Sequence, residues 1–469
     1  MNRRLHHVPP AREASYPVRE GCFVRPLVDG EAAFRRICEA IEAAQFRVWG
    51  TVAFLEYEVQ LPDGRGSIFD VLDAAVARGV DVRVIFWRSE EVSKGTHFPG
   101  TTDQREWLEE RGSGFGARWD ALPDDQCHHQ KSWLIDSASP EEVAFVGGIN
   151  IDHASVAPRG HAPQEHGNVH DVYLELRGPA ATDVHHNFVQ RWNEASEAEY
   201  AEGHWPPAAD GGTLEFPSEV SEGAGEVPVQ ITRTVQAGRY RDDTPAPGSK
   251  AFSIHDGEYS IYEQYVSAID AARSSIYIED QAIGSPKIVG HLKQALERGV
   301  HVIFLLPGRC HPAYAEARAM PSLAAYFDLV AGLDVFPSFS MAAIASVEAD
   351  GRPHEIYVHA KIMLVDDAWV TIGSTNVAER SFRTDTELNA SIWHPETVKA
   401  LRCELFEEHI GIDTAGLSDV DAFQRFHDRA RDNAWQKLVA APMNGLAYRL
   451  NASIYGLGEP MEWDEGSSA

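Results

Sequence analysis

Apolar positions recur along this chain with two alternating periods. Phe34, Ile37, Cys38 and Ile41 fall at helical spacing within residues 31–44, and residues 46–54 follow as an apolar run of strand length. Helical spacing returns over 68–77, strand-like runs over 80–87 and 143–147, and 22–27 reads as a short strand before the first helix. This alternation predicts an α/β fold in which a sheet is covered by helices. The first twenty or so residues, rich in Arg, His and Pro, show neither period and read as loosely ordered.

The same pattern starts again in the second half. Ala40-Ile-Glu-Ala-Ala44 returns as Ala268-Ile-Asp-Ala-Ala272, each followed by a β-rich run, and Arg78-Gly-Val-Asp-Val82 returns as Arg298-Gly-Val-His-Val302. Landmarks in one order, offset by 220 to 230 residues, indicate an internal duplication, with a period far too long for a solenoid. The expected organisation is an extension at 1–21, a first lobe at 22–202, a Pro/Gly/Glu-rich linker at 203–226, a second lobe at 227–440 and a tail at 441–469.

A third landmark carries chemistry. Tyr357-Val-His-Ala-Lys-Ile-Met-Leu-Val-Asp366 leads into Gly373-Ser-Thr-Asn376, and His128-His-Gln-Lys-Ser-Trp-Leu-Ile-Asp136 leads into Gly147-Gly-Ile-Asn150. Both obey His-x-Lys-x4-Asp. The chain has eight lysines, 21 His and 31 Asp, so chance supplies about 0.02 such matches, and two exceed it by far. On a strand, the period of two turns His129 and Lys131 to one face, as it does His359 and Lys361. Paired imidazoles and ammoniums suit a phosphodiester. One histidine would attack phosphorus while the other protonates the departing oxygen. Lys131, Lys361, Asn150, Ser374 and Asn376 would hold the non-bridging oxygens. A carboxylate should fix each ring: Asp171 follows the first motif and Glu387 the second, with Asp385 the rival of Glu387 at His359. No metal or cofactor enters this scheme.

Composition narrows the reading. A net charge of -30, from 71 acidic against 41 basic residues, speaks against broad nucleic-acid binding, which needs phosphate-neutralising side chains. Five scattered cysteines without CxxC spacing suggest neither a disulfide framework nor a zinc site and fit a reducing compartment. No run is long enough to span a bilayer and no signal peptide is evident. The expectation is a cytoplasmic monomer that approaches a membrane or micelle surface from the aqueous side, as a peripheral protein at most.

The motifs together with His170-Asp171, Gly178-Pro-Ala180, Asn187-Phe-Val-Gln-Arg-Trp192, Ile276-Tyr-Ile-Glu-Asp-Gln281 and Asp385-Thr-Glu387 extend over most of 22–410. In them the chain resembles the phospholipase D superfamily, most closely its eukaryotic-type catalytic region. The resemblance implies two homologous α-β-α sandwich lobes with pseudo-two-fold symmetry and one site at their interface. It also implies metal-free chemistry through a phosphohistidine, with His129 the nucleophile and His359 the acid. It places Glu279 and Gln281 in the pocket lining, although Asp280 stands where the family usually has Asn. Cardiolipin synthases share the motifs but usually carry N-terminal membrane helices. His128, His170 and His255 receive no role, and Asp136 and Asp366 read as structural residues near the site.

The leading function is hydrolysis or transfer of the phosphatidyl group of a glycerophospholipid. The alternatives are a phosphodiesterase or nuclease of the same mechanism, a cardiolipin synthase-like phosphatidyltransferase, or an adaptor that kept the pocket without turnover.

Overall fold

The first half runs β1 (Arg19–Val28), α1 (Gly30–Ala43), β2 (Arg47–Val52), α2 (Ile68–Ala77), β3 (Asp81–Trp87), α3 (Thr102–Arg111), β4 (Gly116–Asp120), β5 (Lys131–Ile135), β6 (Val143–Gly147), β7 (Val169–His170), β8 (Val172–Arg177) and α4 (Ala181–Asn193). The second runs β9 (Val227–Val235), β10 (Glu258–Tyr259), α5 (Ser260–Ala271), β11 (Ser275–Glu279), α6 (Pro286–Glu297), β12 (His301–Leu305), α7 (Pro312–Ala319), α8 (Ala324–Ala331), β13 (Phe339–Val347), β14 (Pro353–Val358), β15 (Ile362–Val365), β16 (Trp369–Gly373), α9 (Glu379–Arg383) and β17 (Glu387–Ile392). It closes with α10 (Pro395–Ile410), α11 (Asp419–Leu438) and β18 (Ala447–Arg449). These come from a computed structural model describing residues 7–89, 98, 102–122, 126–195, 212–347, 352–439 and 441–460.

The duplication is visible strand for strand. The first sheet is ordered β4-β3-β2-β5-β6-β8-β1, the first two pairings parallel and the other four antiparallel. The second is ordered β13-β12-β11-β15-β16-β17-β9, with the same sense at every step. Edge strands β1 and β9 pair with each other, and β7 pairs with β14, so hydrogen-bonded pairing links the two lobes.

Each motif strand is buried on both faces, as a sheet covered on two sides requires. In β15, Ile362 and Leu364 enter a central core that also holds Leu134, Phe188, Leu405 and Phe426. Met363 and Val365 enter the outer core with Ile269, Leu292 and Trp369. The central core is shared by both sheets with α4, α10 and α11. Burying a lysine costs several kcal/mol; four apolar residues beside Lys361, each stabilising by roughly 1.5–3 kcal/mol, can offset that.

Three boundaries differ from the sequence reading. Residues 7–18 are docked, because other parts of the chain satisfy their backbone. Ala11 N–H reaches Gln264 Oε1 at 2.7 Å, Val8 O accepts from Trp393 Nε1 at 2.8 Å, and the Tyr16 ring lies under Arg233. The tail supplies β18, which pairs with β13. Of the expected linker, 203–211 lies outside the described residues. Its remainder packs on α4, with Trp192 Nε1 donating to Gly212 O.

Asp136 and Asp366 end β5 and β15 at left-handed φ, 49° and 55°. Asp136 accepts N–H groups of Gln45, Phe46 and Arg47 at the start of β2, and Asp366 those of Arg273, Ser274 and Ser275 at the start of β11. Both stand at the far ends of their strands, roughly 16 Å from the lysines, so neither lies near the site. Asp136→Ala, which removes the acceptor of three half-buried N–H groups, is expected to cost about 2 kcal/mol in chemical denaturation while leaving kcat within about twofold.

Candidate active site

Each motif histidine lies on an extended segment just before its strand, and that segment pairs with the opposite lobe. His129 N–H donates to Thr386 O, and Thr386 N–H to Cys127 O, both at 3.0 Å. In the symmetric place β14 runs parallel to β7, and His359 N–H donates to His170 O at 2.9 Å. The residue after each partner is a carboxylate, so the rings are crossed. His129 Nδ1 sits 3.0 Å from Glu387 Oε2, and His359 Nδ1 sits 2.6 Å from Asp171 Oδ2. The within-lobe pairing expected from sequence order is therefore corrected: Glu387 serves His129, and Asp171 serves His359. Asp385 serves neither, because it accepts from Cys127 N–H at 2.8 Å and Arg380 Nε at 2.6 Å.

With both Nδ1 atoms occupied, Nε2 is the atom each ring offers. His359 Nε2 is buried with no hydrogen-bond partner among the described residues. Lys131 Nζ donates to His129 O at 3.1 Å, and Lys361 Nζ donates to His359 O. The lobes approach so closely here that a Cβ on Gly148 would stand 2.8 Å from both Lys361 Cδ and Asp171 Oδ1. Only glycine fits at that place.

Burial dominates the electrostatics. It pulls His129 and His359 well below the ordinary histidine range, and both lysines pull them further. Burial and then Lys361 bring Lys131 down to about 8, and burial lowers Lys361. Burial also raises Asp171 and Glu387 to about 7 each. Both imidazoles are thus neutral in the field of two lysines, the state in which an imidazole is a nucleophile and an anionic phosphodiester is attracted.

Asn150 and Asn376 each stand three residues past the end of β6 and β16. Asn376 Oδ1 is buried without a partner among the described residues. Ser374 departs from its expected role on phosphate, since its hydroxyl donates to Glu387 Oε2 at 2.5 Å and holds that carboxylate on His129. Glu279 is not in the pocket lining either; it is fully buried, accepting from Tyr277 OH at 2.7 Å and facing His170 Nε2 at 2.9 Å. Gln281 Oε1 accepts from Tyr357 OH at 3.2 Å, and the Tyr357 ring lies 6.2 Å from that of His359. Asp280 accepts N–H groups of Ala282 and Val377, which ties down the loop carrying Asn376. Burial raises its carboxyl to about 8.

Two residues were missed in the sequence. The Phe54 ring meets the His129 ring edge-on at 6.1 Å and lies 5.6 Å from Lys131 Nζ, and Trp87 packs on Phe54. Both lie at or just past the carboxyl ends of parallel strands β2 and β3, where sites in α/β sheets gather. That position was the available signal.

Comparison with known proteins agrees with this geometry. The family described as "Cardiolipin synthase, PLD-like domain" matches residues 37–188 and 265–410, which hold both motifs and both carboxylates. The chain belongs to the phospholipase D superfamily. A second description from this superfamily, "Phospholipase D", matches residues 153–304. Phospholipase D A of Dictyostelium discoideum is 26% identical over 80% of this chain and 33% of its own length. Cardiolipin synthase A of Pseudomonas aeruginosa is 27% identical over 78% of this chain and 62% of its own. Cardiolipin synthase 1 of Staphylococcus epidermidis is 23% identical, covering 82% and 67%. The chain thus spans from a third to about two thirds of the length of these three relatives. The crystal structure of phosphatidylserine synthase from Haemophilus influenzae shares the two-lobed phospholipase D fold. It superposes with a TM-score of 0.56 at 13% identity, covering 91% of this chain and 96% of that one.

Proposed function

We propose that this chain cleaves the head-group phosphodiester of a glycerophospholipid and transfers the phosphatidyl group to water or an alcohol. The observation that carries the reading is the crossed pair of histidines, each held at Nδ1 by a carboxylate of the other lobe, with both lysines close enough to act on each ring. His129 Nε2 attacks phosphorus, the bond to the head-group oxygen breaks, and His359 Nε2–H gives that oxygen its proton. The acceptor hydroxyl then passes its proton to His359 as its oxygen attacks, and the N–P bond breaks. Asp171 supports the charge on His359 that this requires, and the arriving phosphate lowers the cost of protonation imposed by the lysines.

A second reading rests on the relatives named cardiolipin synthases. On it the acceptor is a hydroxyl of another phospholipid, and the same residues act in the same order. No helix among the described residues is long and apolar enough to cross a membrane, so in either reading the described part meets its lipid without spanning the bilayer.

The test is incubation with a mixed phospholipid panel plus ethanol, read by mass spectrometry. Phosphatidylethanol is expected and names the donor. Cardiolipin in the absence of ethanol would favour the second reading, and cleavage only of a nucleotide diester in a parallel tube would overturn both.

A pH dependence follows from Lys131. Its value is lowered from 10.5 to about 8, so the ammonium is present below about 8 and lost above it. kcat/KM is expected to fall about tenfold per pH unit on that alkaline side, and in Lys131→Arg the limb should move to higher pH, because guanidinium keeps its proton. An unmoved limb would remove Lys131 as its source.

A further inference from the structure

Directly behind His359 lies a second cluster that this chemistry does not use. Asp29 Oδ1, His161 Nε2 and His170 Nδ1 converge: His170 to Asp29 is 2.8 Å, His161 to Asp29 is 3.1 Å, and the two nitrogens are 3.3 Å apart. Glu408 Oε1, 3.8 Å from the same nitrogen of His161, accepts from Gly160 N–H at 2.7 Å and stands outside the cluster. All four side chains are 1% exposed or less. We propose that Asp29, His161 and His170 form a structural site for one divalent transition-metal ion, zinc being the best fit, that fixes the backbone behind His359.

Two imidazole nitrogens and one carboxylate oxygen are a donor set that zinc accepts, with a water completing the four. Bonds of about 2.0–2.1 Å in a tetrahedron put neighbouring donors about 3.3 Å apart. The three separations among these donors, 2.8, 3.1 and 3.3 Å, run up to that edge. Beyond the donors, His170 turns its other nitrogen to Glu279 Oε2 at 2.9 Å, and Glu279 accepts from Tyr277 OH. A metal-bound imidazole usually finds such a carboxylate on its far side, which fixes the tautomer and raises its basicity. Independently, Asp29 Oδ2, Glu408 Oε2 and His161 Nδ1 are buried with no hydrogen-bond partner among the described residues. Burying two carboxylates this way is costly unless a cation compensates them.

The placement gives the ion a task. Asp29 ends the approach to α1, His161 lies on the loop before β7, and His170 ends β7. Asp29 N–H donates to Asp171 O at 2.8 Å, and His170 O accepts from both His359 and Ala360. An ion here would hold the backbone that sets Asp171 against His359. It takes no part in bond making, and native enzyme would keep it in a chelator because the ligands are sealed from solvent. Without an ion, His170 must instead be an imidazolium between Asp29 and Glu279, and that is the rival.

The experiment uses the untagged full chain, unfolded in denaturant with chelator and refolded with excess Zn(II), with excess Co(II), or with neither, then dialysed against EDTA. About one equivalent of zinc per chain should remain, and the metal-free sample should melt at a lower temperature. His161→Gln, with an unchanged far-ultraviolet circular dichroism spectrum, should retain less than about a tenth of an equivalent. If that variant does not fold, the Co(II) form of the wild type decides: tetrahedral ligand-field bands without thiolate charge transfer support the site. Less than about a tenth of an equivalent in refolded wild type overturns it. So does a folded His161→Gln that binds zinc as wild type does, or a Co(II) spectrum lacking those bands.

Discussion

His129→Ala should lose both hydrolysis and head-group exchange, each by at least about four orders of magnitude, because removing a nucleophile abolishes the only covalent route. The ring is held for this role. Its Nδ1 faces Glu387 at 3.0 Å, burial and two lysines keep it neutral, and Phe54 walls one side. The direct measurement is acid quenching with a lipid labelled at phosphorus. Wild type should carry label on the chain, and His129→Ala should carry none. Label that survives His129→Ala but disappears in His359→Ala would reverse the two roles, and normal turnover in His129→Ala would sink the mechanism.

The second large effect comes from the crossed carboxylates. Glu387→Gln and Asp171→Asn should each lower kcat by about 10³- to 10⁴-fold, the scale for replacing the carboxylate that orients a catalytic imidazole. They should differ in what rescues them. Asp171 supports the acid, so a phosphodiester with a nitrophenol leaving group, which departs without a proton, should restore most of the first-step rate in Asp171→Asn. Glu387 supports the nucleophile, so the same substrate should leave Glu387→Gln impaired. The opposite rescue would mean that each carboxylate serves the histidine of its own half.

Much of this was legible in the chain. The repeated His-x-Lys-x4-Asp needs no alignment, because lysine is scarce here and the spacing is that of a strand leading into a covered sheet. The halves announce themselves through Arg78-Gly-Val and Arg298-Gly-Val, which end equivalent helices and open equivalent strands β3 and β12. The site residues Asp171 and Glu387 could be picked, being carboxylates at matching places after the motifs. Their partners could not. Pairing β7 with β14, and Thr386 with the segment before β5, exchanges carboxylates between lobes, and nothing local to either half records that exchange.

The same distinction explains the other departures. Glu279 and Ser374 lie on site-forming strands or loops, yet where a side chain on such an element points depends on what stands opposite it; here His170 and Tyr277 claim the first, and Glu387 claims the second. Residues 7–18 look unstructured because their own side chains show no period, while the groups that hold them, Gln264 and Trp393, are hundreds of residues away. Period, spacing and repetition are local properties, so the sequence by itself determined the strands, the helices, the duplication and the two imidazole-ammonium pairs. Which carboxylate meets which ring follows from packing one lobe against the other, and which histidines gather behind them at Asp29 follows from how the first lobe folds on itself. Only the tertiary structure decided these, because hydrogen-bond partners in a buried interface are chosen by distance in space and not by order along the chain.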